Sequence, residues 1–178
     1  MTPVAVDFTS LSQERLVILV QNTSDGDAFS LLLRPHQAPL LAFLTQLTNN
    51  TSLAEDIRQE TLLKAYINIS KYQAKSSFKT WLFGIGYKEF LQANRKSMRF
   101  SRLVSAFEGF VRDSHLPDIG GDLDIQNALN KLSHTERAAI LLSEVCGLTH
   151  VEVATTMNAP LGTAKTYIKR AKDKLNTH

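Results

Sequence analysis

Ser133-His-Thr-Glu136, Thr149-His-Val-Glu152 and Thr163-Ala-Lys-Thr-Tyr-Ile-Lys-Arg-Ala-Lys-Asp-Lys-Leu175 decide the fold of the last third of the chain. The first two segments are helix starts. Each puts a hydroxyl at the N-cap and a Glu three residues later, so two orphan backbone N–H groups are satisfied reciprocally. Gly147-Leu148 separates the first helix from the second, and Asn158-Ala-Pro-Leu-Gly162 the second from the third. In the third, Ala164, Ile168, Ala171 and Leu175 recur at helical spacing as a core-facing stripe. Lys165, Lys169 and Lys172 line another face, flanked by Thr166 and Arg170. A short helix, a tight turn and a basic helix describe a helix-turn-helix that reads DNA. The apolar stripe fixes its angle, and the outer donors meet base edges and phosphates. A solvated basic surface helix would show the same stripe, but it would not require the tri-helical layout around it.

The rest of the chain agrees with a helical protein. Of 178 residues 43% are apolar, while eight glycines, five prolines and little β-branched alternation argue against sheets. The net charge is only +3, yet the cations are unevenly placed. Lys88, Arg95, Lys96, Arg99 and Arg102 form one stripe, and Lys165, Lys169, Arg170, Lys172 and Lys174 form another. Two separated stripes suggest two contacts with a polyanion. Cys146 stands alone, so neither a disulfide framework nor a cysteine metal site is expected, and its helical position suits a buried thiol. The five histidines show no metal-ligand spacing. No signal peptide and no apolar run of the roughly 20 residues needed to cross a bilayer are present, so a cytoplasmic location without membrane insertion is expected.

Along the chain, residues 1–24 read as an N-terminal leader, with a helix conceivable from Leu11 to Val20. A core-facing helix is expected from Asp25 to Leu47, with a kink or break where Pro35 and Pro39 remove backbone donors. Asn49-Asn-Thr51 is a turn, and Ser52-Leu-Ala-Glu55 reads as a third capping box opening a helix to about Ile69. A loop from Lys71 to Ser77 leads to a helix from about Phe78 to Lys96. Weak periodicity, Pro117, Gly120, Gly121 and a run of acids mark residues 97–121 as a linker. The expected domains are therefore 25–96 and 122–178.

Two further surfaces stand out. Trp81, Phe83, Tyr87 and Phe90 interleave with Lys88, Arg95 and Lys96, a combination suited to unpaired bases, although the aromatic residues fit a core as well. Asp56, Gln59 and Glu60 share one face of the helix after Ser52. Acids near a helix N-terminus are accounted for by the macrodipole, and equally by a protein-docking surface.

Two blocks now carry a resemblance. Ala54-Glu-Asp-Ile-Arg-Gln-Glu-Thr-Leu-Leu-Lys-Ala-Tyr66 and Phe78-Lys-Thr-Trp-Leu-Phe-Gly-Ile85 resemble the first conserved domain of bacterial extracytoplasmic-function sigma factors. Leu132 to Arg137, Gly147 to Ala154 and Leu161 to Leu175 resemble the second. The resemblance implies an all-α protein: two small helical domains joined by a linker, the C-terminal one a helix-turn-helix. It implies no catalytic residue, metal or cofactor. Asp56, Gln59 and Glu60 match the face that docks on core RNA polymerase. Tyr72, Lys75, Ser76, Lys79, Trp81, Ile85, Lys88, Arg95 and Lys96 match the part that melts the promoter minus-ten element and pockets a flipped base. Arg137, Thr163, Lys165, Thr166, Lys169 and Arg170 match the part on the minus-thirty-five element. Gly84 and Gly86 stand where relatives commonly carry Arg and Ala, Lys88 where they often carry Asn, and Tyr167 where Arg is frequent. The expected partners are core RNA polymerase, promoter DNA and an anti-sigma protein. The rival expectation is a stand-alone helix-turn-helix regulator, for which the acidic face would be idle.

Overall fold

A computed structural model describes residues 11–108 and 123–176. Their regular structure is helical: α1 Gln13–Thr23, α2 Gly26–Thr48, α3 Thr51–Asn68, α4 Phe78–Glu108, α5 Leu123–Asn130, α6 His134–Ile140, α7 His150–Met157 and α8 Leu161–Leu175. A 3₁₀ turn, Ile69–Lys71, follows α3, and a π-helical turn, Leu141–Val145, follows α6. Among the described residues no helix is long and apolar enough to cross a membrane.

The first body packs α1, α2, α3 and α4 around Leu32, Leu40, Phe43, Leu44, Leu82 and Phe83, all buried. Phe43 and Phe83 meet with ring centroids 5.7 Å apart. The stretch expected to be a leader contributes α1, which buries Leu16, Val17 and Val20 in this core; residues 1–10 lie outside the described part. α2 is not broken at its prolines. Pro35 and Pro39 lie one turn apart on the exposed face, while Leu32, Leu33, His36 and Leu40 face inward. The carbonyls that lose their donors, those of Leu31 and Pro35, belong to this outer side, where water can serve them. The buried stripe holds the helix through both positions.

The expected capping box at Ser52 is not formed. Asn50 is the N-cap of α3, its Oδ1 accepting from the Leu53 N–H at 3.0 Å, and Ser52 is already inside the helix. Asn50 sits two residues upstream of the Ser-x-x-Glu pattern and is an equally good cap. Glu55 instead pairs with Arg58.

α4 runs on to Glu108, well past Lys96. The first part of the segment read as a linker is therefore helix, and its remainder, 109–121, lies outside the described residues. Met98, Phe100 and Leu103 are exposed on this extension, which explains the weak amphipathic signal there. Gly86 lies where α4 meets α2 and α3. A Cβ at that position would stand 3.1 Å from Leu40 Cδ1 and 3.6 Å from Thr61 Cγ2. The glycine lets the helices approach, and the core offsets its poor helix propensity.

In the second body both expected capping boxes form. The Ser133 N–H donates to Glu136 Oε2 at 2.9 Å, and the Thr149 N–H to Glu152 Oε2 at 2.9 Å. Gly147 takes φ +68° in the turn before α7, a left-handed conformation that glycine adopts without a Cβ penalty. Asn158, at φ 51°, ends α7 in the same region. Ala138 and Ala139 of α6 are buried with Ala164, Ile168 and Ala171 of α8, and the four alanines allow close helix contact.

Candidate nucleic-acid interface

α8 presents its cations as the spacing required. Ala164, Ile168 and Ala171 are buried, Leu175 is half-buried, and Lys165, Thr166, Lys169 and Arg170 are exposed. Thr163 is half-buried beside them. The helix begins at Leu161, two residues earlier than its expected start at Thr163, with no side-chain cap at Pro160. Lys172 and Lys174 are not free: Lys172 pairs with Glu144 at 2.8 Å and Lys174 with Glu136 at 2.7 Å. Lys165, Lys169 and Arg170 make no ion pair among the described residues, so the first three turns keep an open cationic face. Arg137 is turned the other way. It is 7% exposed, its Nε donating to the Leu129 carbonyl at 2.9 Å and its Nη2 to Asn130 Oδ1 at 3.1 Å. It ties α6 to the end of α5.

The second candidate surface is the loop 72–77 with α4. Tyr72, Phe78 and Trp81 form one aromatic cluster, Trp81 lying 5.2 Å from Tyr72 and 5.6 Å from Phe78. Trp81 and Ile85 are half-buried on one side of α4, and Lys88 is exposed one turn further on. Lys75 is exposed, Ser76 is half-buried, and the Tyr72 hydroxyl donates to the Ser76 carbonyl at 2.6 Å. Ala74 takes φ +53°, which gives the loop a left-handed corner. Arg95 and Lys96 are exposed three turns along, next to Asp56 and Glu60 across the groove between α3 and α4. They lie away from the loop, so the structure does not bring the whole cationic stripe to one place.

Lys79 is engaged elsewhere. Its ammonium donates to the Cys146 carbonyl in the second body. Around it α7 lies across the start of α4. Glu152 Oε1 accepts from Thr80 Oγ1 at 3.1 Å and from Ser77 Oγ at 3.3 Å, and Thr156 Oγ1 donates to the Thr80 carbonyl at 3.5 Å. Gly84 passes under α7, where an added Cβ would lie 3.7 Å from the Thr156 carbonyl oxygen. The carboxyl of Glu152 is held below the usual carboxylate range, first by the Thr149 backbone N–H and also by Thr80 and Ser77. Burial pushes the Cys146 thiol up to about 11, which keeps it protonated at neutral pH. No sequence signal announced this contact, because its polar groups also serve local helix starts.

Asp56, Gln59 and Glu60 are exposed on α3, as expected. Sequence reasoning missed their neighbours. Leu53, Leu63 and Ile67 are 37%, 54% and 62% exposed and continue the Asp56–Glu60 row at spacings of three and four. Helical spacing alone would have found them. An acidic row with apolar residues at both ends is the composition of a docking surface.

Two family models match the chain. A family model described as sigma-70 region 2 matches residues 32–100, and one described as sigma-70, region 4 matches residues 122–175. The ECF RNA polymerase sigma factor SigW of Bacillus subtilis is 30% identical over 165 residues, covering 85% of this chain and 88% of that protein. The RNA polymerase sigma-H factor of Pseudomonas aeruginosa is 28% identical over 182 residues, covering 93% and 94%. The solved structure of the sigma factor RpoE with the anti-sigma factor NepR from Bartonella quintana superposes with a TM-score of 0.70 at 32% identity, covering 83% of this chain and 94% of that one. Fold and comparisons together define a two-region transcription initiation factor. The chain belongs to the extracytoplasmic-function sigma factors of the sigma-70 family, which associate with RNA polymerase and bind promoter DNA and are not enzymes.

Proposed function

We propose that this chain docks on core RNA polymerase through the Asp56, Gln59 and Glu60 row of α3, opens the minus-ten element with the loop 72–77 and α4, and holds the minus-thirty-five element with α8. The supporting observation is the open cationic face of α8 on the same chain as the exposed acidic row of α3. One surface suits a polyanion and the other a protein, and both stay exposed, although Glu60 also pairs with Lys64 at 3.3 Å. Tyr72, Lys75, Ser76, Trp81, Ile85 and Lys88 surround the base-capturing loop in this assignment. Unstacking a base costs a few kcal/mol, which an aromatic cluster such as Tyr72 with Trp81 can offset. Arg95 and Lys96 lie beyond that loop and contribute positive potential to the strand path. The first domain in this assignment takes in α1 and the whole of α4, beyond the expected 25–96, and the second keeps the expected 122–178. An anti-sigma protein would silence the factor by covering these faces, as the solved relative with NepR suggests.

Run-off transcription with purified core polymerase and genomic fragments tests the assignment. The wild-type chain is expected to initiate at discrete promoters, and Asp56→Lys with Glu60→Lys to lose holoenzyme formation while α8 still binds the upstream element. Operator binding without any effect on initiation would instead identify a stand-alone regulator.

A further inference from the structure

α1 holds the start of the loop 72–77 through a side-chain amide and reaches its end only through other residues, while Ser77 at that end donates to Glu152 Oε1 of α7 at 3.3 Å. At its start, Gln21 Nε2 of α1 donates to the Tyr72 carbonyl at 2.8 Å and to the Ile69 carbonyl at 2.9 Å. Both hydrogens of that amide are used, so the group is fully committed to the loop entrance. At its end the link is indirect. Gln13 Nε2 lies 3.2 Å from His36 Nε2 on α2, and the His36 ring lies 5.7 Å from the ring of Phe78, the first residue of α4. Eight residues along an α-helix span about 12 Å, so α1 reaches from one end of the loop to the other.

Between those ends α1 and the loop are not packed together. A cleft of about 720 Å³ separates them, lined by Gln13, Val17 and Gln21 on one side and by Ala74, Ser76 and Ser77 on the other. Packing therefore cannot fix the middle of the loop against α1, and its height above the helix depends on how the ends are held. Within the loop the Tyr72 hydroxyl closes on the Ser76 carbonyl at 2.6 Å. Any movement of the Tyr72 backbone is carried by that bond to the far side of the loop.

We propose that α1 is a splint for the base-capturing loop and that Gln21 is its principal positioning residue, with Gln13 acting through His36 and Phe78. This rests on the assignment of the loop 72–77 to minus-ten capture. Gln21 does not touch the DNA. It sets the backbone position of Tyr72, and so the geometry of the pocket that the flipped base must enter. Losing both donors strips the Tyr72 carbonyl of its partner and leaves the Ile69 carbonyl with only the Tyr72 N–H, at 3.0 Å, and this lets the loop entrance relax.

The test uses holoenzyme built from core polymerase and the full chain, on a promoter found by the run-off screen. Three quantities are read: affinity for core, melting of the duplex by 2-aminopurine fluorescence, and sensitivity to single abasic sites moved through the minus-ten element. For the wild type, one abasic position is expected to reduce melting at least tenfold. Gln21→Leu and Gln21→Glu, which keep the size of the side chain without its donors, are expected to bind core within twofold of wild type. Both should melt the duplex about tenfold less well and lose the special sensitivity to that one position. Retention of the wild-type abasic profile by both variants would overturn the proposal while leaving the loop assignment intact. Loss of core affinity in parallel with melting in both would also overturn it, by showing Gln21 to be merely part of the core. A wild-type profile with no sensitive position would remove the loop assignment, and the splint with it.

Discussion

α8 and α4 are the two helices with basic stripes, and the fold treats them differently. α8 spends its cations economically: Lys172 and Lys174 anchor the helix to Glu144 and Glu136, while Lys165, Lys169 and Arg170 stay open. α4 begins beneath α7, where Lys79, Thr80 and Gly84 serve the contact between the two bodies. The surface assigned to duplex DNA is thus ready in this arrangement. The surface assigned to strand opening shares its first turns with another helix. The same polar groups cannot hold α7 and a nucleic acid at once, so a basic stripe by itself does not say whether a surface is available.

The largest effect is expected on α8. Replacing Lys169 and Arg170 together by Ala should cost about 2–4 kcal/mol of promoter affinity and flatten the salt dependence by about two ions, measured by fluorescence anisotropy at several salt concentrations. Lys79→Ala should leave the affinity for the upstream duplex within twofold, because its ammonium faces Cys146 and not that DNA. Equal losses from the two changes would break the comparison.

Next come the glycines of α4. Gly86→Ala must push a methyl against Leu40, which is fully buried, so about 1–3 kcal/mol of stability should be lost despite the better helix propensity. Gly84→Ala meets only ordinary contact at 3.7 Å and should gain up to about 1 kcal/mol. Urea denaturation of both variants checks the pair, and a stabilised Gly86→Ala would show that α4 is less tightly seated than α2 and α3 imply.

Glu152 should matter at about 1 kcal/mol through its cap alone, and Glu152→Gln should in addition loosen α7 from Ser77 and Thr80. Its carboxyl lies below the ordinary carboxylate range, so its contribution is complete above the unfolded value of about 4.3 and disappears as pH falls through the lower folded value. A fluorophore pair placed on α3 and α8 should separate on acidification in the wild type and already be more separated in the variant at neutral pH.

The smallest effect concerns His36. Burial, with Lys79 nearby, holds its imidazole below the ordinary value of about 6.5, and its neighbours are Gln13 of α1 and Phe78 and Lys79 of α4. The neutral ring is the native form. Its stability contribution is complete above about pH 6.5 and falls as pH drops through the folded value. A thermal melt of wild type at pH 7 and pH 5.5 should show a small decrease in Tm that His36→Gln abolishes.

The helix-turn-helix was legible because its signals are local. Ser133 with Glu136 and Thr149 with Glu152 form the boxes their spacing required, and the Ala164, Ile168 and Ala171 stripe is buried as the period demanded. Where two local signals competed, the sequence was ambiguous. Asn50 displaced Ser52 as the cap of α3, and the prolines of α2 were overridden by the apolar face opposite them. Arg137 shows the limit for site residues. The resemblance grouped it with the minus-thirty-five residues, and only the structure shows its guanidinium bonded to two acceptors at the end of α5.

From the chain alone came the helical class, the two regions, the turn residues and the division of α8 into a buried and a cationic face, since each depends on neighbours within one or two turns. The tertiary structure decided which charges remain unpaired, how far α4 extends, where Gly86 lets three helices meet, and that Gln21 reaches Ile69 and Tyr72 some fifty positions away. Those outcomes require distant segments to converge, and hydrogen bonds between residues so far apart leave no periodic trace in the sequence.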